Sequence, residues 1–396
     1  MKKITVFLLI VLFGFQPLYS QWQQLNGISP IWVKSLASSG NNIFAGNFIL
    51  LGDEKYNTGL GVWVSTNNGE NWNITSLNIA SSSLHFKGSR LFSCSGSLFY
   101  TDNNGTNWIN PMSGLQVVSV SSNNSYVFCC GNSGLYVSSN NGVNWTSHLT
   151  NQLNYLLVKD NYVYTGNSSS LRISSDNGAN WAQTSVDGKV INSLASNGSD
   201  IFAGTINGLY RSTNNGTNWN LISAANLNVQ AILAFDSNLL IGEFYGNGIY
   251  KSTNLGVNWI QRNEGFPAGT ALHVLYKTQY YVFAGGPSGL WRRNLQNVLL
   301  VNTNTENIPE KFSLSQNYPN PFNPSTNIKF RIKNNKYTTL KIYDVLGKEV
   351  ATLVNEKLKP GEYEVTFDGS ELPSGVYFYK LTTDDFTETK KMLMIK

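Results

Sequence analysis

The chain has 396 residues and a formal net charge of +5, and charged residues make up only 13% of it. So small a positive excess does not favour nucleic acid or an anionic membrane as a partner. Its three cysteines, Cys94, Cys129 and Cys130, are an odd number without C-x-x-C spacing, so neither a disulfide framework nor a metal or other cofactor is expected. We interpret them as small core residues, with a Cys94 bridge to Cys129 or Cys130 as the alternative.

Residues 1–20 have the pattern of an export signal. Lys2 and Lys3 precede an apolar run from Ile4 to Phe15, and Ser20 offers a small residue at the cleavage position. The run is too short for a membrane span, and no later segment approaches the ~18 uninterrupted apolar residues that a span needs. We therefore expect cleavage after Ser20 and passage through the periplasm.

Residues 21–295 are dominated by one short motif that occurs six times, and its tryptophans lie 36 to 40 residues apart. Each copy, called a box below, has Ser or Thr, then Asn or Asp, then Gly, then Trp at fixed spacing. A period of this length predicts a ring or stack of one repeated unit. The boxes comprise Ser65, Asn67, Gly69 and Trp72; Thr101, Asn103, Gly105 and Trp108; Ser138, Asn140, Gly142 and Trp145; Ser174, Asp176, Gly178 and Trp181; Ser212, Asn214, Gly216 and Trp219; and Ser252, Asn254, Gly256 and Trp259.

Each repeat reads as four short strands. In residues 190–222, β-branched and aromatic runs alternate with Asn, Gly, Ser and Thr, which is typical of strands joined by tight turns. Four strands in about forty residues predict the blade of a β-propeller. The second and third strands recur seven times, and residues 21–25 match the missing fourth strand of the last repeat. We therefore predict an all-β, seven-bladed propeller over residues 21–295, closed by pairing of its two ends.

The box is expected to stabilise the turn between the third and fourth strands. Its Asn or Asp and its hydroxyl can bond the backbone two residues on, its Gly supplies a positive φ, and its Trp packs between sheets. The pattern resembles the Asp-box, or bacterial neuraminidase repeat, of sialidases, sortilin-type receptors, some β-glucan-cleaving propellers and photosystem II assembly factors. Asp176 alone matches the acidic position; the other boxes carry Asn there. The resemblance implies the architecture, and a structural role for the box.

The sequence favours binding over catalysis. A sialidase would need an early Arg-Ile-Pro motif, and the first arginine here is Arg90. The acidic candidates for a catalytic pair are Asp53 and Glu54 in an enlarged loop, and Glu243 beside Tyr245, with ordinary loop carboxylates as the alternative.

The three histidines are isolated in the sequence and do not indicate a metal set. They are His85, His148 and His273.

Basic residues end the third strands of three consecutive repeats. Arg211, Lys251, Arg292 and Arg293 are either a patch that binds an acidic partner or glycan, or exposed strand-end charges.

A change of composition marks a second domain. Residues 296–311 read as a polar linker, and charged residues then rise from 24 in positions 21–295 to 22 in the much shorter 312–396. Alternating strands follow a proline-rich opening at 317–324, which predicts a small antiparallel, Ig-like β-sandwich.

Residues 312–396 resemble the type A sorting domain of the type IX secretion system of Bacteroidetes and their relatives. The matching stretches are 317–324, 343–347, 372–377 and the basic, apolar C-terminal end. The resemblance implies Sec export, then passage across the outer membrane with this machinery as partner, and release or surface attachment. The alternative is an Ig-like binding module.

Two functions remain open at this point. The first is a secreted or surface-attached propeller that binds a glycan, peptide or protein through loops at one end of the ring. The second is a secreted glycoside hydrolase or lyase that uses loop carboxylates at the same end. The first is favoured because no catalytic motif is complete.

Overall fold

The computed structural model describes residues 21–28, 32–48, 60–167, 170–184, 186, 188–223, 226–299, 301–304, 309–334, 336–358 and 360–396. The predicted export signal and the candidates Asp53 and Glu54 lie outside these residues. The chain divides into one compact unit over Gln21–Leu299 and another over residues 300–396. No helix among the described residues is long and apolar enough to cross a membrane.

The first unit is a ring of seven antiparallel sheets in the part of the chain that the structure describes. The N-terminal strand is β1 (Gln23–Gln24). Blade one holds β2 (Trp32–Ser39), β3 (Asn42–Phe48), β4 (Val62–Ser65) and β5 (Asn73–Ile74). Blade two holds β6 (Ser83–Lys87), β7 (Arg90–Cys94) and β8 (Leu98–Thr101), and a bridge from Tyr100 to Ile109 takes the place of its fourth strand. Blade three holds β9 (Val117–Ser122), β10 (Val127–Gly131), β11 (Gly134–Ser138) and β12 (Thr146–Leu149).

The remaining blades repeat this order. Blade four holds β13 (Tyr155–Lys159), β14 (Tyr162–Asn167), β15 (Ser170–Ser174) and β16 (Ala182–Thr184). Blade five holds β17 (Ile191–Asn197), β18 (Asp200–Thr205), β19 (Gly208–Ser212) and β20 (Asn220–Leu221). Blade six holds β21 (Val229–Phe235), β22 (Asn238–Glu243), β23 (Ile249–Ser252) and β24 (Ile260–Gln261). Blade seven holds β25 (Val274–Lys277), β26 (Tyr281–Gly286) and β27 (Gly289–Asn294), followed by helix α1 (Leu295–Leu299).

The two ends of the propeller meet in blade seven. Gln23 lies opposite Arg292 and Gln24 opposite Trp291, so β1 is the fourth strand of that sheet. Trp22 stacks on Phe266 at 4.9 Å between ring centroids and donates from Nε1 to the carbonyl of Arg262 at 2.7 Å. The predicted closure of the ring by its N-terminal segment is confirmed.

The first strand of each blade lies toward the ring axis. Each of these strands contacts the first strand of the next blade, and β25 contacts β2, which completes the circle. Second strands are enclosed between two neighbouring sheets, so β18 and β22 are buried along their whole length. Burial on both faces explains why these strands read as continuous small and apolar runs rather than as alternating ones.

Neighbouring blades are joined by the box tryptophans. Each lies in one apolar cluster with an aromatic residue from the second strand of the preceding blade. Burial of about 200 Å² of ring surface at ~25 cal/mol per Å² stabilises each such junction by a few kcal/mol. The pairs are Trp72 with Phe283, Trp108 with Phe44, Trp145 with Phe92, Trp181 with Phe128, Trp219 with Tyr164, and Trp259 with Phe202.

Antiparallel order gives the ring two distinct ends. The boxes and the turns from first to second strands lie at one end, called the box face. The starts of the first strands, the connections from second to third strands and those from one blade to the next lie at the other end, called the mouth. The mouth is therefore built from the connections that do not repeat.

The second unit is a sandwich of two four-stranded sheets. One has the order β28 (Val301–Asn304), β33 (Gly361–Asp368), β30 (Ser325–Ile332) and β29 (Ser313–Leu314). The other has the order β32 (Glu349–Leu358), β31 (Lys336–Tyr343), β34 (Gly375–Thr382) and β35 (Thr387–Met394). Inward residues of both sheets share one apolar cluster, and β30 alternates exposed and buried residues along its length, as half-buried strands do.

The region predicted to be a linker, residues 296–311, begins with regular structure. Helix α1 packs Leu295 and Val298 into the apolar cluster of blades six and seven, and β28 pairs with β33. Polar composition suggested a linker because strand β28 is rich in Asn and Thr and lies at a sheet edge.

Candidate functional site

The boxes make the same hydrogen bonds in every copy, as the fifth blade shows. Ser212 Oγ accepts from the Gly216 amide at 2.8 Å and donates to Asn214 Oδ1 at 2.9 Å. Asn214 Oδ1 in turn accepts from the Asn218 amide at 2.9 Å. The Asn side chain thus binds the backbone four residues on, rather than the two residues on that the sequence suggested, because the turn is wider than an Asx turn. In the fourth blade, hydrogen bonds from Asn180 and Ser174 lower the pKa of Asp176 to about 2.

Four aromatic rings form a row at the mouth. Tyr245 meets Phe244 edge to face at 5.3 Å between centroids, Phe244 meets His273 edge to face at 5.5 Å, and His273 stacks on Trp32 at 5.7 Å. The row, called the aromatic row, crosses from blade six through blade seven to blade one. Tyr245 is 73% exposed and Phe244 37% exposed, so one end of the row faces solvent.

The loop that carries Phe244 and Tyr245 is held by hydrogen bonds on several sides. Glu243 accepts from the amides of Asn228 at 3.4 Å and Asn247 at 3.1 Å. Asn263 accepts from the Ile249 amide and donates to the Asn247 carbonyl. The loop therefore presents its aromatic residues from a fixed backbone.

Glu243 serves this loop from within the protein. Its side chain is 1% exposed, and both carboxylate oxygens accept from backbone amides. A hydrolytic carboxylate has to reach a bound substrate, whereas Glu243 faces the main chain. Its neighbour Tyr245 is the side chain that points to solvent.

The histidines lie far apart and have different surroundings. His85 bonds Ser122 Oγ at 2.8 Å between blades two and three, and His148 bonds the Gly178 carbonyl at 2.9 Å. The described residues contain no group of three metal-binding side chains.

His273 belongs to the aromatic row and is neutral at physiological pH. Burial, and secondarily Lys34, lower the pKa of His273 to about 4. Its Nε2 is enclosed without a hydrogen-bond partner among the described residues. Sequence reasoning set His273 aside as isolated, because its ring partners are remote in the chain.

The four basic residues do not form a surface patch. Arg211 pairs with Asp200 at 2.6 Å, Arg293 pairs with Glu264 at 2.7 Å, and Lys251 donates to the Leu299 carbonyl at 2.7 Å. Arg292 donates to the Asn68 carbonyl and lies 4.7 Å from the Tyr281 ring centre.

Both interpretations of these basic residues, an anion-binding patch and exposed strand-end charges, are therefore wrong. Lys251 is fully buried, Arg292 and Arg293 nearly so. Burial, and secondarily Arg262 and Arg293, lower the pKa of Lys251 well below its usual value. Third strands are covered by neighbouring blades, so charges at their ends find partners inside the protein.

The cysteines are free and buried. Cys94 and Cys129 share an apolar cluster with Met112, and burial raises the pKa of all three thiols, to about 12 for Cys130. Their positions are those of small core side chains.

The second unit exposes an apolar turn. Val345 is 65% and Leu346 89% exposed, and Asp344 Oδ1 fixes the turn by accepting from the amides of Leu346 and Lys348. A shallow concavity of about 410 Å³ beside it is lined in part by Phe378.

Two family models match parts of the chain. The secretion system C-terminal sorting domain matches residues 316–396, and the DUF6242 beta propeller domain matches residues 150–289. Comparison with curated proteins gives no match.

Solved structures share the fold at low sequence identity. YCF48 from Cyanidioschyzon merolae has a TM-score of 0.56 and 14% identity, over 69% of this chain and 98% of its own. PorZ, a surface component of the type IX secretion system of Porphyromonas gingivalis, has a TM-score of 0.53 and 12% identity, over 93% of this chain and 60% of its own. The GH74 enzyme of Niastella koreensis has a TM-score of 0.50 and 18% identity, over 67% of this chain and 43% of its own.

These matches identify the two parts of the molecule. It is a β-propeller followed by a type IX secretion sorting domain, and the protein is accordingly secreted or attached to the outer surface of the cell. At these identities the structural likenesses establish the fold alone.

Proposed function

We propose that this protein is an exported binding protein whose propeller takes a glycan, peptide or protein ligand at the mouth. The observation that carries the proposal is the aromatic row from Tyr245 to Trp32, which is open to solvent at one end. Aromatic rings supply much contact area with few rotatable bonds, and they dominate the energetics of binding surfaces.

The rigidity of the loop supports the same function. The hydrogen bonds of Glu243 and Asn263 hold residues 244–248 before any ligand arrives. A preformed surface loses little conformational entropy on binding, so its contacts contribute more fully to affinity. The proposal requires no metal and no cofactor.

The alternative is a secreted glycoside hydrolase or lyase. It would use Asp53 or Glu54, which lie outside the described residues, or Glu243, which is engaged with the main chain. Retaining and inverting hydrolysis both need two carboxyl groups on either side of the bond to be cleaved. The described geometry offers Glu243 no access to such a bond, and for this reason we favour binding.

The sorting domain supplies the second partner, the type IX secretion machinery. We infer that the exposed turn at Val345 and Leu346 is part of the surface that this machinery contacts. An apolar pair held out by a fixed turn is the kind of feature that marks protein interaction sites. Leu346→Ser should leave the fold stable and lower the amount of protein exported.

The experiment that tests the binding function is an array of glycans, polysaccharides and peptides probed with the chain from Gln21 onward. Every ligand that binds is then incubated with the protein and assayed for cleavage products. Binding without product supports the proposal. Product formation that survives Glu243→Gln but not Asp53→Asn with Glu54→Gln would favour the alternative, with the loop carboxylates as catalysts.

A further inference from the structure

The mouth is unusually poor in charge for a protein surface. Among its described connections, the residues charged at neutral pH are Lys189, Arg262 and Glu264. Arg262 and Glu264 pair with one another at 3.3 Å, and their side chains also reach the Asn297 carbonyl and Arg293. Asp53, Glu54, Lys55 and Asp187 belong to connections outside the described residues.

The box face has the opposite character. Its turns carry Glu70, Asp102, Asp160, Asp176 and Asp236, and Arg90 and Lys159 flank them. The two ends of the ring thus differ in charge although they belong to the same repeats. A ligand of the mouth meets amides, hydroxyls, glycines and rings instead of ions.

The aromatic row is itself neutral. His273 sits between Trp32 and Phe244 in its uncharged form, and Lys34 is the charged side chain that acts on it. A nearby ammonium disfavours a cationic ligand on these rings, which is the reverse of an aromatic cage for quaternary ammonium groups. A neutral imidazole gives an anion no counter-charge.

Uncharged hydrogen-bonding groups surround the open end of the row. Asn226 and Asn247 are exposed beside the loop of Phe244 and Tyr245, and Asn132 bonds Gln116 on the same end of the ring. An amide side chain offers both donors and acceptors, which matches a hydroxyl group that does the same. Ring faces carry negative potential and attract the positive C–H edges of a pyranose.

We infer that the mouth binds an uncharged glycan, with a sugar ring packed on Tyr245 and Phe244 and its hydroxyls bonded to amides such as Asn247. The inference rests on the proposed binding function and adds the chemical class of the ligand. Hydroxyl-rich chains are the ligands that combine apolar C–H faces with many neutral donors and acceptors. Those two features are the ones that the mouth provides.

The test uses neutral hexasaccharides of glucan, xylan and mannan, acidic galacturonate and sialylated oligosaccharides, and a peptide library, with the chain from Gln21 onward. Neutral oligosaccharides are expected to bind, and their affinity should change less than twofold between 50 and 500 mM NaCl, because no ion pair is involved. Tyr245→Ala and Trp32→Ala should each weaken that binding at least tenfold. Tyr245→Ala keeps the test sound if Trp32→Ala unfolds, since the Tyr245 side chain is mostly exposed.

The outcomes separate the two claims. If acidic glycans or peptides bind instead and Tyr245→Ala abolishes their binding, the mouth is the site but the inferred ligand class is wrong. If no tested class depends on Tyr245, the proposed site fails, and the inference fails with it. Absence of any neutral-glycan binding also overturns the inference.

Discussion

At the residue scale, the box depends on two consecutive positive backbone φ angles. In blade three these are Asn141 at 57° and Gly142 at 83°. Asn tolerates this region better than other side chains, and glycine has no penalty there. The sixth box carries Leu255 at 53°, which the other five boxes avoid by using Asn.

Gly142→Ala tests how tightly the box is packed against the preceding blade. A Cβ at Gly142 would lie 2.5 Å from the buried Phe92 ring, whereas Gly198, at a similar φ, has open space around it. We expect Gly198→Ala to cost about 1 kcal/mol from φ alone, and Gly142→Ala about 3 kcal/mol or more. Urea unfolding measures both; equal costs would show that the box is not packed as described.

Asp176→Asn should be nearly silent at neutral pH, because five boxes already carry Asn at this position. Since the pKa of Asp176 is lowered to about 2, its contribution to stability is present above the unfolded-state value and lost as pH falls through about 2. The thermal midpoint of Asp176→Asn should therefore match the parent at pH 7 and fall less steeply between pH 4 and 2. A large loss at pH 7 would contradict this.

His273 should make the propeller less stable in mild acid. Its folded-state pKa of about 4 lies below the usual 6.5, so the unfolded chain takes up a proton first, and stability falls as pH drops from 6.5 to 4. After allowance for its partial exposure, the loss is about 1–2 kcal/mol. His273→Phe, which keeps a ring in the row, should flatten that part of the stability profile. An unchanged slope would mean that His273 is not the titrating group.

At the scale of elements, the ring depends on a two-residue strand. β1 supplies few backbone bonds, and Trp22 supplies the apolar contacts, together with bonds to Arg262 and Glu264. It does for blade seven what the box tryptophans do for the other blades. Ring closure therefore rests on one side chain more than on strand pairing.

Trp22→Ala should destabilise the protein by about 3–5 kcal/mol, the usual cost of removing a buried Trp. Tyr245→Ala serves as the matched control, because its exposed ring contributes little to stability and should cost less than about 0.5 kcal/mol. Chemical denaturation of both variants measures the difference. A loss for Trp22→Ala no larger than that for Tyr245→Ala would mean that the ring closes without it.

At the scale of the whole molecule, the sequence predicted the scaffold but not the site. Blades could be counted because each box encodes its turn locally, and Trp22 could be recognised because it repeats that pattern. The aromatic row could not be predicted, since Trp32, Phe244 and His273 are remote in the chain and each resembles an ordinary strand end. Only closure of the ring places blade seven beside blade one. The basic residues misled for a related reason, because their burial depends on neighbouring blades.

The most direct test of the central claim compares two exposed tyrosines at opposite ends of the ring. Tyr245 lies at the mouth, and Tyr280, 52% exposed, lies in the first turn of blade seven on the box face. Calorimetric titration with the tightest ligand from the array should show at least tenfold weaker binding for Tyr245→Ala and unchanged binding for Tyr280→Ala. Unchanged binding by Tyr245→Ala, or a loss confined to Tyr280→Ala, would contradict a site at the mouth.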